Sequence, residues 1–286
     1  MKISSFICCL WYFAAVSVDS TGTPPQELQG TRLDVDMYGN IYLLNADNNT
    51  LSLVSKEHLL VARVGSSGWQ NDQFDRPAGL WARNGIDVFV ADYGNHRIQR
   101  FDRKLNFVSS LSTRDNDDPD QRFGYPTDVA FSSLGDLFIC DSENSRIVKV
   151  NRFTRVEKIF GGFDAGGGRL QKPSKVEIGP KDCVYVLDGE RIVVFDYFGN
   201  FLSELAPGIF QRPVTLLADK LGVVVADDDR IYRFDEQNRF TDSLPIESIA
   251  GSEVAVHSLS LSNTALYILT TTGLMTVADP WSGIAR

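Results

Sequence analysis

The chain has 286 residues, with 28 Lys+Arg against 37 Asp+Glu for a formal charge of −9, and it is 43% hydrophobic and 11% aromatic. That apolar content excludes a disordered chain, and 23 Gly with 11 Pro and no triplet period exclude a collagen. The excess of acid repels phosphate backbones and disfavours both generic nucleic-acid binding and attraction to anionic membrane.

Met1 and Lys2 form a short positive start, Ile3 to Val16 an apolar run, and Ala15-Val16-Ser17 an A-x-S cleavage pattern. Together they predict a signal peptide over residues 1–17, followed by a lead over 18–30. Asp19 interrupts the run short of the roughly 20 apolar residues that a spanning helix needs. An exported chain, periplasmic or extracellular and with no transmembrane span, is therefore expected. Ile7 before the Cys8-Cys9 pair is a poor match to a lipid-attachment motif, which disfavours a lipid anchor. Loss of Lys2 with the leader would take the charge to 27 − 37 = −10. The two remaining cysteines, Cys140 and Cys183, sit in the apolar runs LFIC and CVYVL. They are expected at opposite ends of equivalent strands in adjacent repeats, as two free thiols.

From residue 31 onward the sequence repeats. Similar stretches begin at Pro77, Pro126, Pro173 and Pro213, spaced by 126 − 77 = 49, 173 − 126 = 47 and 213 − 173 = 40 residues. A weaker copy precedes them, placing Asn45, Asn48 and Leu51 where the second copy has Asp92, Asn95 and Ile98; another, HSLSLSNTALYILTTTGLMTVAD, follows. Within the second copy the apolar pattern predicts strands over Gly79 to Ala82, Asp87 to Ala91, Arg97 to Asp102 and Phe107 to Leu111, with turns at Asn84-Gly85 and Asp92 to Asn95. Four antiparallel strands repeated six times predict an all-β fold, a six-bladed β-propeller over 31–286. Its blades fall at about 31–72, 73–121, 122–168, 169–208, 209–248 and 249–286. Closing the ring also removes exposed sheet edges.

The P-x-G, V-A-D, G-N and R-I elements between Pro77 and Phe101, and the Gly-rich stretch GSSGWQNDQFDRP (65–77), resemble an NHL repeat. The likeness is clear at Pro77 to Asp102 and Pro126 to Asn151, fair at Pro173 and Pro213, and weak in the outer copies. It implies an NHL-type six-bladed propeller and leans toward interaction. Some relatives of this kind, the gluconolactonases and amidating lyases, are enzymes whose metal ligands and acid or base groups come from the start of each blade's first strand.

The most regular motif is D-x-x-N-x-R-I at Asp92, Asn95, Arg97 and at Asp141, Asn144, Arg146; it shortens to D-x-x-R at Asp188, Arg191 and at Asp227, Arg230. Carboxylate and amide groups accept turn N–H bonds and Arg offers a planar fork, so a group repeated once per blade serves the blade. The position near the axis holds Gly79, Asp128, Lys175 and Thr215, with Arg32 equivalent in the first copy and His257 or Ser258 in the last. Arg32, Asp128, Lys175 and His257 are the candidate ligand or partner site at the channel mouth, though ion pairs closing the channel are the plainer reading. Three His in all, one of them (His96) inside a blade turn, give no zinc pattern, so no metal and no cofactor are expected. The run RDNDDPDQ (114–121) lacks the spacing and closing Glu of a calcium loop and reads as a solvated acidic loop. GGFDAGGGRL (161–170) lacks the Lys-Ser/Thr of a phosphate loop.

The expected function is that of a non-catalytic, monomeric binding propeller for an unknown protein or small polar ligand, basic or neutral, and not nucleic acid. A propeller hydrolase or lyase is the alternative; so is a docking subunit of an envelope complex, for which Trp69 and Trp281 are the candidate contacts.

Overall fold

A computed structural model describes residues 13–15, 29–250, 254–262 and 265–278. Their strands form six four-stranded antiparallel sheets. Blade one contains Arg32–Val35, Ile41–Asn45, Thr50–Val54 and Leu60–Val64; blade two, Gly79–Trp81, Asp87–Asp92, Arg97–Asp102 and Phe107–Leu111. Blade three contains Pro126–Phe131, Asp136–Asp141, Arg146–Asn151 and Arg155–Phe160; blade four, Pro173–Ile178, Val184–Asp188, Arg191–Phe195 and Phe201–Glu204. Blade five contains Thr215–Asp219, Gly222–Ala226, Arg230–Asp235 and Phe240–Pro245. Blade six contains Val256–Ser262, Ala265–Thr270 and Gly273–Ala278, and its outer position is taken by Phe13–Ala15, with Phe13 opposite Val277. The rest of the expected leader, most of the lead and Trp281 lie outside the described residues.

The first strands touch one another around a closed circuit, with blade six against blade one, so they line the axis. That last joint is made by side chains: Ser258 Oγ and Ser260 Oγ accept from the Leu33 and Val35 amides, at 3.2 and 3.0 Å. Second strands are covered on both faces by the neighbouring blades, which is why Asp87–Asp92 is buried throughout. Outer strands alternate instead, as in Phe107–Leu111, because only one face meets the core. The first strand of blade two ends one residue earlier than its apolar pattern predicts. Ala82 donates its N–H to Asp34 Oδ2 at 2.8 Å rather than to the ladder.

Cys140 is buried in blade three and Cys183 half-buried just before the second strand of blade four; both are free thiols. Burial raises both pKa values, which leaves them poor nucleophiles. The only α-helix among the described residues is Ile246–Ala250, and none is long and apolar enough to cross a membrane.

Candidate functional site

Antiparallel register divides the disc into two faces. Gly79 lies opposite Ala91 and Asp92 opposite Arg97, so each first strand begins on the face that carries the turn between second and third strands. The outer strand returns to the same face, which makes it the mouth of the channel.

On that face the repeated carboxylate is the centre of each turn. Asp92 Oδ1 accepts the Asp75 amide (2.8 Å), and Oδ2 accepts Asn95 Nδ2 (2.9 Å) and Arg97 Nε (2.8 Å). Arg97 Nη2 continues to the Gln70 and Gln73 carbonyls at 2.7 and 2.8 Å, tying the interblade loop to the turn. Asp141, Asn144 and Arg146 repeat the arrangement, with Arg146 Nη2 on the Arg122 carbonyl. Asp188 takes the Gln171 and Lys172 amides and Arg191, which reaches the Arg169 carbonyl. Asp227 takes the Gln211 and Arg212 amides. Arg230 departs from the expected pairing: it donates to Ser243 Oγ at 2.7 Å.

Equivalent positions of the first strands form tiers along the axis, since residues two apart share a face. The first tier is Arg32, Gly79, Lys175, Thr215 and Ser258, each paired one residue before the repeated turn position, with Asp128 in the register irregularity between Pro126 and Val129 of blade three. His257 belongs to the rim above, where it is exposed; desolvation of its ring, then the Arg32 guanidinium, lower its pKa. Lys175 Nζ lies 3.5 Å from Asp128 Oδ2 and 3.2 Å from Glu177 Oε1. Arg32 donates to its neighbour's carbonyl, Thr31 O, at 2.9 Å, and Asp128 acts on it through space. Three of the four expected residues thus share one tier, and only Asp128 and Lys175 are in contact.

The residues that sequence reasoning missed lie deeper. Arg83 Nε donates to Asp34 of blade one (3.1 Å), Nη2 to Glu177 of blade four (2.7 Å) and Nη1 to the Ala218 carbonyl of blade five (3.0 Å). One side chain from blade two therefore spans the axis. Burial opposes its charge, but Glu177 and Asp34 outweigh that and hold its pKa above the usual arginine value. The signal for Glu177 was present in Lys175-Val176-Glu177, whose alternation puts both charges on one face; Arg83 follows its strand and carries no such mark.

Asp128 Oδ1 and Glu177 Oε2 are buried and accept no hydrogen bond. Room beside Asp128 exists because blade two has Gly79 there: a Cβ would sit 2.5 Å from Asp128 Cα and 2.6 Å from Oδ1. Gly79→Ala is expected to lower stability by about 1–3 kcal/mol, read by chemical denaturation, because a backbone atom is in the way and cannot rotate aside. Burial, then the neighbouring Glu177, raises the Asp128 pKa against the pull of Lys175. A carboxyl raised above its unfolded value of about 3.9 binds more protons folded than unfolded across that window. Its contribution is greatest below the unfolded pKa and is lost as pH rises through the folded one. The stability of Asp128→Asn relative to wild type should therefore increase with pH from about 4 upward in urea melts, and a flat or falling difference would refute the assignment.

Farther out on the mouth face, Trp69 is 78% exposed. It borders a groove of about 430 Å³ together with Ser67, Gly68, Gln73, Phe74, Asp75 and Asn95. The expected acidic loop lies on this face too, with Asp115, Asp117, Asp118 and Asp120 exposed. Among the described residues no three His, Cys, Asp or Glu side chains converge as metal ligands.

A sequence model of the NHL repeat matches residues 123–150. The Drosophila melanogaster protein brain tumor is 27% identical over 146 residues, 50% of this chain and 13% of that protein. The Caenorhabditis elegans "Probable peptidyl-alpha-hydroxyglycine alpha-amidating lyase pgal-1" is 34% identical over 106 residues, 36% of this chain and 29% of that one. The chain thus spans less than a third of either relative. Among solved structures, a gluconolactonase from Xanthomonas campestris superposes with TM-score 0.64 at 11% identity, covering 88% of this chain and 87% of its own. Virginiamycin B lyase from Staphylococcus aureus gives 0.59 at 13%, covering 91% and 87%. At these identities the structures speak to the fold alone. Six four-stranded blades make the chain a six-bladed β-propeller, and residues 123–150 of it match the NHL repeat.

Proposed function

We propose that the chain is an exported, non-catalytic binding propeller whose mouth face receives a basic or neutral polar segment of a partner. The observation that carries this reading is Trp69, a large exposed aromatic beside a groove on an acidic face. Aromatic anchors flanked by complementary charge dominate recognition energetics. The axial residues contribute a rigid base rather than a cleft, since Arg83 and Lys175 are already engaged by carboxylates. Lys- and Arg-bearing peptides screened by fluorescence anisotropy should bind with an affinity that falls as salt rises. Trp69→Ala and Asp115→Asn/Asp117→Asn should weaken binding about tenfold or more without moving the thermal midpoint. Peptides that never bind, or binding indifferent to both variants, would refute the proposal. Export is tested by sequencing the N-terminus of the protein recovered outside the cytoplasm.

The similarity to the amidating lyase favours a second reading, a propeller lyase. The described residues do not fit a metal-dependent version: the first tier offers one carboxylate beside Arg32, Lys175, Thr215 and Ser258. Turnover of a peptidyl-α-hydroxyglycine by the purified chain would decide for this reading.

A further inference from the structure

The face opposite the mouth is built from the turns between first and second strands and between third and fourth strands. Its inner turns end on apolar side chains in four blades: Met37 and Tyr38, Ile86, Leu134 and Leu221, between 56% and 71% exposed. The outer turn of blade four adds Phe198 at 69%. The first two tips are neighbours, because a Cβ at Gly85 would lie within 2.5 Å of the Tyr38 ring and 3.2 Å of Met37. Equivalent turns of a closed repeat sit at equivalent heights, so the inner tips of the four blades lie at one level around the axis.

Charge on this face is arranged differently from the sum over the chain. Arg103, Lys104, Arg152, Lys181 and Lys220 are exposed on the same turns. None of the five makes an ion pair with a described residue. The aspartates between them are half-buried and cap their own turns: Asp102 accepts the Lys104 and Asn106 amides, Asp196 those of Phe198 and Asn200, and Asp219 those of Leu221 and Gly222. Exposed acids on these turns, Asp182 among them, are fewer than the cations, while the acidic loop of residues 114–121 lies on the mouth face.

We propose that this face docks on an anionic lipid surface, with the apolar tips entering the interface and the five cations meeting headgroups. A ring of small apolar tips at one level, with unpaired cations around it, matches a flat, negatively charged, deformable surface, which offers both burial and charge. The acidic mouth face is repelled by the same surface, so the disc would lie with its mouth turned away and free to bind. The net charge of −9 that disfavours membrane attraction is a sum over two faces of unlike character.

The test is co-sedimentation of the whole chain with phosphatidylcholine vesicles prepared with and without phosphatidylserine. Binding is expected only with phosphatidylserine, to weaken as salt rises, and to fall about tenfold or more in Leu134→Ser/Leu221→Ser and in Arg152→Glu/Lys181→Glu. All four side chains are exposed, so circular-dichroism melts should match wild type and exclude misfolding. The mouth variant Trp69→Ala should bind vesicles normally, which separates this proposal from the one above. No binding, equal binding to neutral vesicles, or binding unaffected by either double variant would overturn it. So would self-association, seen by analytical ultracentrifugation without vesicle binding, that Leu134→Ser/Leu221→Ser abolishes; the occupant would then be a second copy.

Discussion

Arg83→Ala should lower the free energy of unfolding by about 3–5 kcal/mol, the range for removing one partner of a buried charge cluster. Its guanidinium joins Asp34, Glu177 and the Ala218 carbonyl, and both carboxylates are at most 3% exposed. Alanine leaves those carboxylates facing each other across the axis with no cation between them. Lys175 still reaches Glu177 at 3.2 Å, but nothing comparable remains for Asp34, whose other partners are neutral amides and the Ser260 hydroxyl. For a domain of this size the midpoint should fall by roughly 2–4 °C per kcal/mol. Arg83→Lys should lie between the two, because one ammonium cannot make three bonds in different directions. The triple variant Arg83→Met/Asp34→Asn/Glu177→Gln should recover much of the loss, as neutral replacements of a buried ion cluster commonly do. A single alanine variant as stable as wild type would show that the axial network contributes nothing to closing the ring.

The architecture was legible because a propeller writes its period into the chain. Proline spacing, strand-length apolar runs and the turn motif each mark one blade, and each reports a local requirement: a strand start, a covered strand, a set of turn amides. In blade two only a strand end shifted, at Ala82, where a carboxylate from blade one outcompetes the ladder; blade six departs further, taking its outer strand, Phe13–Ala15, from the segment expected as leader. The site was less legible because it is made by contacts between blades. Arg83 meets Glu177 across 94 residues and Ala218 across 135, and no local pattern encodes that meeting. Choosing residues by alignment to the proline found the first tier and stopped one tier short. Asp34, the partner in blade one, stands in one of the two weak outer copies, in LDVD.

The same separation of local from distant partners predicts that the repeated aspartates are unequal. Asp92→Ala should cost about 3–5 kcal/mol, and Asp227→Ala about 1–2 kcal/mol. Asp92 is fully buried and holds three side chains, Asn95, Arg97 and Gln99, together with the Asp75 amide. Its loss leaves the Arg97 guanidinium, 11% exposed, with carbonyls as its only partners. Asp227 also is buried, but its hydrogen bonds come from the amides of Gln211, Arg212 and Asp228. Gln211, Arg212 and Asp228 are exposed residues, so water can replace the carboxylate. Arg230 is unaffected there because Ser243 Oγ holds it. The double variant Asp92→Ala/Arg97→Ala should be less destabilised than the sum of its parts, since removing both charges leaves no buried ion. Denaturant midpoints of the four variants test this directly. Equal losses at Asp92 and Asp227 would mean that the turn amides, common to both sites, carry the energy, and that the arginine fork is only an accompaniment to them.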